Sequence, residues 1–308
     1  MPRTPGRSPS TGSPGGEPLE AAKPSLSPLT FHGSRLTIIR GDNLPTLADF
    51  PHGTFRLAYI DPPFNTGRRQ ARPRLRTVRD DANGDRTGFN GQRFRSIAVA
   101  RHAWDDRWED YLGFLAPRLE AVRRVLAGDG SLFVHLDQRE VHYVKVLLDG
   151  IFGRDCFRNE IVWAYDYGAR PRRAWPAKHD TILWYSRDPR RWVFDAEAMD
   201  RVPYLAPRLQ TEARRARGKT LTDVWWQTIV PTRSRERTGY PTQKPVALLE
   251  RIVRVHSGPG DLLLDCFAGS GSFGEAALRH GRRAVLVDRS TAAVRVMSKR
   301  LAGWIGEG

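Results

Sequence analysis

Short apolar runs of strand length alternate with helix-period segments along almost the whole chain, and this alternation restricts the fold more than any other feature. Leu36 to Asp42 is a β-branched strand ending in Gly-Asp, and Phe55 to Ile60 is a second strand running straight into Asp61-Pro62-Pro63-Phe64-Asn65. Helical spacing follows at Tyr111, Phe114, Leu115, Leu119, Val122 and Leu126, closed by Gly128-Asp129-Gly130. Next come a strand Ser131 to Leu136, a helix from Arg139 to Leu148, and strands Glu160 to Tyr165 and Thr181 to Tyr185. After Pro245 a helix runs to His256; strands Asp261 to Leu264 and Arg283 to Val287 then alternate with two closing helices, the last ending near Trp304. Strands and helices in turn predict a doubly wound α/β sheet.

Two stretches stand outside this pattern. Residues 1–30 are rich in Pro, Gly and Ser and read as a disordered tail. Residues 67–103 show no period and carry ten arginines, Arg68 and Arg69 first among them, so a mobile basic loop is expected there. The expected domains are a 31–186 half containing that loop, an irregular, basic, Trp-containing insertion at 187–239, and a 240–308 half.

The Gly-rich turn offers the first chemistry. Asp265-Cys266-Phe267-Ala268-Gly269-Ser270-Gly271 joins an apolar strand to a helix, the geometry that holds a nucleotide at a strand's carboxyl end. A plain turn is the alternative. Asp288 ends the next strand, 19 positions after Gly269, where a ribose-hydroxyl acceptor belongs; otherwise it caps the last helix. The three spaced glycines of a phosphate fingerprint are incomplete, which favours an adenosyl ligand over a dinucleotide. In Asp61-Pro62-Pro63-Phe64, two prolines fix φ and remove backbone donors. Asp61 and a prolyl carbonyl can then accept both hydrogens of one NH2 group, with Phe64 as a stacking face for a flipped base. The competing reading is a Pro-rich turn with a capping Asp.

These motifs resemble those of amino-group DNA methyltransferases. Asp61-Pro62-Pro63-Phe64 is similar to the family's catalytic motif, and Phe267-Ala268-Gly269-Ser270-Gly271 to its S-adenosylmethionine motif. Tyr240-Pro241-Thr242-Gln243-Lys244-Pro245 resembles its cofactor-side motif, with Tyr240 where His is usual, and Cys266 sits where Pro is commoner. The order, catalytic motif first, is that of the β class; Ile60 to Gly67 with Phe133 to Asp137 is similar to type III modification subunits. The resemblance implies a seven-stranded, circularly permuted Rossmann-like sheet, with its first two strands at the C-terminus and its third and fourth at the N-terminus. It implies S-adenosylmethionine held by Asp42, Asp61, Thr242, Lys244, Asp265, Phe267, Ala268, Gly269, Gly271 and Asp288. Asp42 would take the cofactor's adenine amino group, unless it caps the turn before Leu44, and Asp288 the ribose. Catalysis falls to Asp61, Pro62, Pro63 and Phe64, on adenine N6 by preference and otherwise cytosine N4. An RNA methyltransferase and a non-catalytic DNA-binding protein are the further alternatives.

Double-stranded DNA is the expected partner. The chain has 50 Lys and Arg against 34 Asp and Glu, a net +16 that attracts a polyanion; an Arg-rich genome is the other explanation. By position, 187–239 is the target-recognition region, with Arg214, Arg215, Arg217, Lys219, Arg233 and Arg235 facing phosphates or guanine edges. Trp225 and Trp226 either wedge into DNA or pack inside, and Tyr165 and Tyr167 are candidates for the base pocket wall. The histidines show no metal spacing, so no metal is expected. Two cysteines make no disulfide framework, no apolar run approaches the roughly 20 residues of a membrane span, and no signal peptide is visible, so a cytoplasmic, nucleoid-associated protein is expected. A homodimer and a separately acting cognate endonuclease are compatible with the resemblance.

Overall fold

The computed structural model describes residues 34–87, 91–168 and 170–304; the expected tail at 1–30 lies outside them. The first half runs β1 (Leu36–Arg40), α1 (Asn43–Ala48), β2 (Phe55–Ile60), β3 (Arg68–Arg79), β4 (Arg86–Thr87), β5 (Arg93–Asp106), α2 (Tyr111–Val125), β6 (Leu126–Leu136), α3 (Val141–Phe152), β7 (Phe157–Ala164) and β8 (His179–Ser186). There follow β9 (Arg201–Val202), α4 (Glu212–Arg217), β10 (Lys219–Thr220) and β11 (Val224–Trp226). The chain then ends in α5 (Val246–His256), β12 (Leu262–Asp265), α6 (Ser272–Arg279), β13 (Arg283–Asp288) and α7 (Thr291–Arg300).

Among the described residues, eight strands form the main sheet in the order β1-β13-β12-β2-β6-β8-β7-β11. β12 of the C-terminal half lies between β13 and β2, so the two halves interleave and the permuted order is borne out. All neighbours are parallel except β8, which runs antiparallel to β6 and β7. Successive residues of the central strands face opposite layers. Ala58 and Ile60 of β2 join Leu132 and Val134 of β6 under α2 and α3, whereas Leu57, Tyr59 and Phe133 join Leu249, Ile252, Phe273 and Met297 under α5, α6 and α7. Helix starts follow local chemistry: the Asp42, Asp110 and Ser290 side chains accept from the first-turn amides of α1, α2 and α7.

Three expectations need correction. The segment expected as a basic loop is an antiparallel ribbon: β3 pairs with β5 from Arg68↔Asp106 to Arg79↔Phe94, and β4 pairs with β5. β3 carries an arginine at almost every second position and pairs with β5 along its length, and Pro73 sits on an edge strand of this small sheet. Gly128-Asp129-Gly130 does not end a helix but lies inside β6, whose pairing with β2 shifts register before Ser131. The insertion after β8 is not wholly outside the sheet, because β11 pairs with β7 and adds an eighth strand to the seven expected.

His256, at the end of α5, ties this insertion to the core. Its ring packs against Phe133, Trp184 and Phe194, and its Nδ1 lies 3.2 Å from the Val193 carbonyl. Burial pushes its pKa down to about 3. The unfolded chain, with an ordinary imidazole, therefore takes up the proton first, and stability is lost as pH falls from about 6.5 toward 3. At pH 5 the loss relative to pH 8 is about 2 kcal/mol. Melting curves at the two pH values should show His256→Phe losing distinctly less stability on acidification than wild type; parallel losses would place the acid sensitivity elsewhere.

Candidate active site

At the carboxyl edge of the sheet, β1, β2, β12 and β13 open onto a cleft of ≈ 570 Å³, a size suited to a small ligand. The sheet order puts it there: β12 and β2 are neighbours, so Asp265 and Asp61, which follow them, meet at one mouth. All ten residues expected to hold the cofactor border this cleft except Gly271, which shapes it from behind.

Asp61 is largely buried, and its Oδ2 accepts from Lys244 Nζ at 2.5 Å; the two side chains are 15% and 8% exposed. Its Oδ1 is buried with no hydrogen-bond partner among the described residues. The Lys244 ammonium also lies 5.1 Å from the centre of the Phe64 ring. Lys244 is thus directed at Asp61 and Phe64, beyond the cofactor-side role expected of it. Behind Phe64 lies a chain of buried polar groups that the sequence did not announce. His135 stacks on Phe64 with ring centres 6.1 Å apart; its Nδ1 is 2.7 Å from the Tyr59 hydroxyl and its Nε2 3.1 Å from Asp180. Tyr165 donates to the other Asp180 oxygen at 2.9 Å. Burial raises the Tyr59 and Tyr165 hydroxyls, whereas the hydrogen bond from His135 holds the Asp180 carboxyl below its ordinary range despite desolvation. Tyr165, read from sequence as a pocket wall, therefore supports Phe64 through Asp180 and His135.

The loop after Phe64 is anchored just as firmly. Buried Asp106 accepts from the Asn65 and Thr66 amides and the Thr66 hydroxyl, and Asn65 donates to Glu140 at 2.7 Å. Asn65 adopts φ 51, a left-handed backbone that Asn tolerates better than most residues. Asp106 closes the ribbon that begins at Gly67, whose amide bonds its carbonyl, so ribbon and catalytic loop share one anchor.

On the cofactor side, Asp265 accepts from the Phe267 amide, and Asp288 accepts from the Gly269 amide at 2.9 Å and the Ser290 amide at 2.8 Å. Ser290, not Asp288, caps the last helix. Burial, with Asp61 and Asp288 nearby, pushes the Asp265 carboxyl well above its usual range. Two glycines are fixed by space: at φ +49, a Cβ on Gly269 would lie 3.2 Å from the Tyr240 ring, and at φ +75, one on Gly271 would meet Met297 Cβ at 2.7 Å. Asp42 caps α1 through Leu44 and pairs with Arg118 at 3.0 Å, so the capping role is real. Each carboxylate oxygen carries two lone pairs, so Asp42 can still receive another donor. Arg118 stacks on Phe114, which with Phe267 forms an aromatic wall. Phe114 and Arg118 read as ordinary helix positions in the sequence, because spacing alone does not say which helix face meets the cleft.

Thr242 lies exposed at the rim. Gln243 of the same loop is held by Thr238 and the Glu236 carbonyl, fastening it to the recognition region. Arg214, Arg215 and Arg217 lie on α4, Lys219 in β10, and Arg233 and Arg235 in the loop before Tyr240; all but the partly buried Lys219 are exposed. Arg217 pairs with Glu197. Arg68 and Arg69 open β3, and their side chains lie outside those described. None of these lines the cleft. Trp225 is buried and Trp226 is 72% exposed, so the adjacent pair divides between packing and solvent.

The family model for DNA methylases matches residues 55–299. The DNA adenine methyltransferase YhdJ of Escherichia coli (strain K12) is 25% identical over 288 residues, covering 89% of this chain and 85% of that protein. Among solved structures, the M1.HpyAVI–SAM complex aligns with a TM-score of 0.55 at 18% identity, over 86% of this chain and 98% of that one. The cytosine-N4-specific PvuII DNA methyltransferase aligns with a TM-score of 0.60 at 16% identity, over 87% and 86%. Both structures share the fold. Since the family match spans both halves of the cleft, from β2 to α7, the chain belongs to the N6/N4 DNA methylases, the methyltransferases of exocyclic amino groups.

Proposed function

We propose that the cleft binds S-adenosylmethionine and that Asp61 to Phe64 present to it the N6 amine of an adenine turned out of double-stranded DNA. The observation that carries this reading is Asp61 Oδ1, a buried acceptor at the cleft with no donor of its own. An unpaired buried acceptor is costly unless a ligand supplies the donor, and an exocyclic amine does. Lys244 fixes the other oxygen, so the free one is held in place before the base arrives.

The cleft suits an adenosyl group: Phe114 and Phe267 offer ring faces, Asp42 and Asp288 acceptors, and Gly269 lets the backbone come close. S-adenosylmethionine, when bound, supplies a methyl group made electrophilic by its sulfonium. An amine conjugated with a base ring is a poor nucleophile. Asp61 Oδ1 and the Pro62 carbonyl accept its two hydrogens and turn its lone pair out of the ring plane. Phe64, backed by His135, stacks on the base and sets its plane. Bound there, the cofactor would give its methyl to the amine nitrogen and keep the C–S electron pair, and Asp61 would take the surplus amine proton. Positioning and electrostatics do the catalysis, with no covalent enzyme intermediate.

Adenine is favoured because Asp precedes Pro-Pro, the pattern commoner among adenine enzymes, whereas cytosine-N4 enzymes more often carry Ser. Double-stranded DNA lies along the exposed cations of 187–239. A second copy of the chain, a separately acting endonuclease and residence at the nucleoid belong to the same reading.

Nucleoside mass spectrometry of DNA methylated by the protein should show N6-methyladenine; a dominant N4-methylcytosine peak would overturn the base assignment and leave the chemistry intact. Asp61→Ala should lower turnover at least about a hundredfold, the scale of losing one key transition-state acceptor, with cofactor and DNA affinity retained. A smaller loss would remove Asp61 from the reaction.

Asp265 gives a pH signature. Its carboxyl, whose proton affinity burial raises above the ordinary range, ionises more readily beside a bound sulfonium and ammonium. Cofactor affinity should therefore rise with pH until the free protein's Asp265 is itself ionised, with proton release visible by calorimetry in buffers of different ionisation enthalpy. Asp265→Asn should bind more weakly and release fewer protons. Equal release by both proteins would show that Asp265 does not sense the cofactor's charge.

A further inference from the structure

Residues 165–178, between β7 and β8, emerge at the same sheet edge as Asp61. β2 is parallel to β6, and β8 is antiparallel to both β6 and β7, so β7 points the same way as β2. β11 is parallel to β7 and ends there too, with Trp226 in register with Ala164, the residue from which the loop departs.

The base of the loop is built into the wall behind Phe64. Tyr165 donates its amide to the Lys178 carbonyl at 2.9 Å, and Lys178 Nζ returns to the Tyr167 and Gly168 carbonyls, each at 2.9 Å. The Tyr165 hydroxyl bonds Asp180, which bonds His135, which stacks on Phe64. From this anchored base the chain carries Trp175 outward, 96% exposed, with Tyr167 also largely exposed. Pro171 and Pro176 bracket it and limit the backbone freedom lost in holding it there. Arg170, Arg172 and Arg173 are exposed beside it, and Arg170 pairs at 2.8 Å with Asp166, the one acidic residue of the segment.

So much uncovered indole on the sheet edge that carries Asp61 calls for an occupant, and the charge selects its class. The guanidiniums of Arg172 and Arg173 suit phosphates, and an aromatic face stacks on any base. A base drawn into the cleft leaves its former neighbours unstacked and its partner unpaired. We infer that residues 165–178 form a second DNA-contacting element, separate from 187–239, and that Trp175 stacks in the gap left by the extruded base. The inference rests on the methyl-transfer reading of the Asp61 site.

The test uses the full chain and two duplexes carrying the site found by modification mapping, one matched and one with an abasic position opposite the target base. Trp175→Ala should lose about tenfold or more in kcat/KM on the matched duplex, the scale of one base–aromatic stack, and Trp175→Phe should keep most of the activity. On the abasic duplex, where no pairing opposes extrusion, Trp175→Ala should return to within about threefold of wild type. Cofactor binding and melting temperature should not change, because the ring is exposed. Activity of Trp175→Ala within about twofold of wild type on the matched duplex overturns the inference, as does an equal loss on both duplexes. Unaltered DNA kinetics with altered sedimentation would make the loop a protein contact and overturn it as well. Wild type inactive on both duplexes sinks the methyl-transfer reading itself, and the role of Trp175 with it.

Discussion

The Asp61–Lys244 ion pair is the constraint on which the site depends. Its partners are 183 residues apart in sequence, yet their charged atoms touch in a nearly dry setting. The pair therefore forms only when β2 and the loop before α5 are both in place, and it makes the catalytic motif contingent on the folding of the cofactor half. A lysine on Oδ2 leaves Oδ1 as the one acceptor still available, which is the asymmetry an amine substrate needs.

Three loops near that pair are held by carboxylates that collect backbone amides, Asp106 and Asp265 buried and Asp288 partly so. Asp106 gathers Asn65 and Thr66; Asp288 gathers Gly269 and Ser290; Asp265 takes Phe267. Each loop at the carboxyl edge is thereby stiffened by an aspartate belonging to the end of a strand. Burial, with Asp61 and Asp288 close by, raises the proton affinity of Asp265. A cationic ligand relieves that strain, so the site is electrostatically incomplete without one.

The same edge carries the features that would meet DNA. The ribbon of β3, β4 and β5 leaves from the Asp106 anchor on one side of Phe64, and the 165–178 loop leaves from the Tyr165–Asp180–His135 chain on the other. Both are thus mechanically joined to the residues around the catalytic ring, whereas the arginines of 187–239 lie apart from the cleft. Contacts made far from the base can in this way reach Phe64 through a few hydrogen bonds.

The sequence by itself determined the alternating strands and helices and the two motifs, and its resemblance to amino-group DNA methyltransferases implied the permuted order. Strand alternation and the residues after Ile60 and Leu264 are local properties, written in spacing, proline and glycine. It also marked Asp42, Asp265, Gly269 and Asp288 as cleft residues, because the ends of parallel strands must share an edge. Only tertiary structure decided the rest. The Arg-rich ribbon shows no strand period in its sequence, and only the pairing of β3 with β5 reveals it. Val224 to Trp226 is too short to read as a strand, and becomes one only against β7. Lys244 finds Asp61, and His135 finds Phe64, Tyr59 and Asp180, across distances in sequence that no local pattern spans. Long-range polar contacts depend on which strands become neighbours, and that is fixed by packing the two halves of the sheet together.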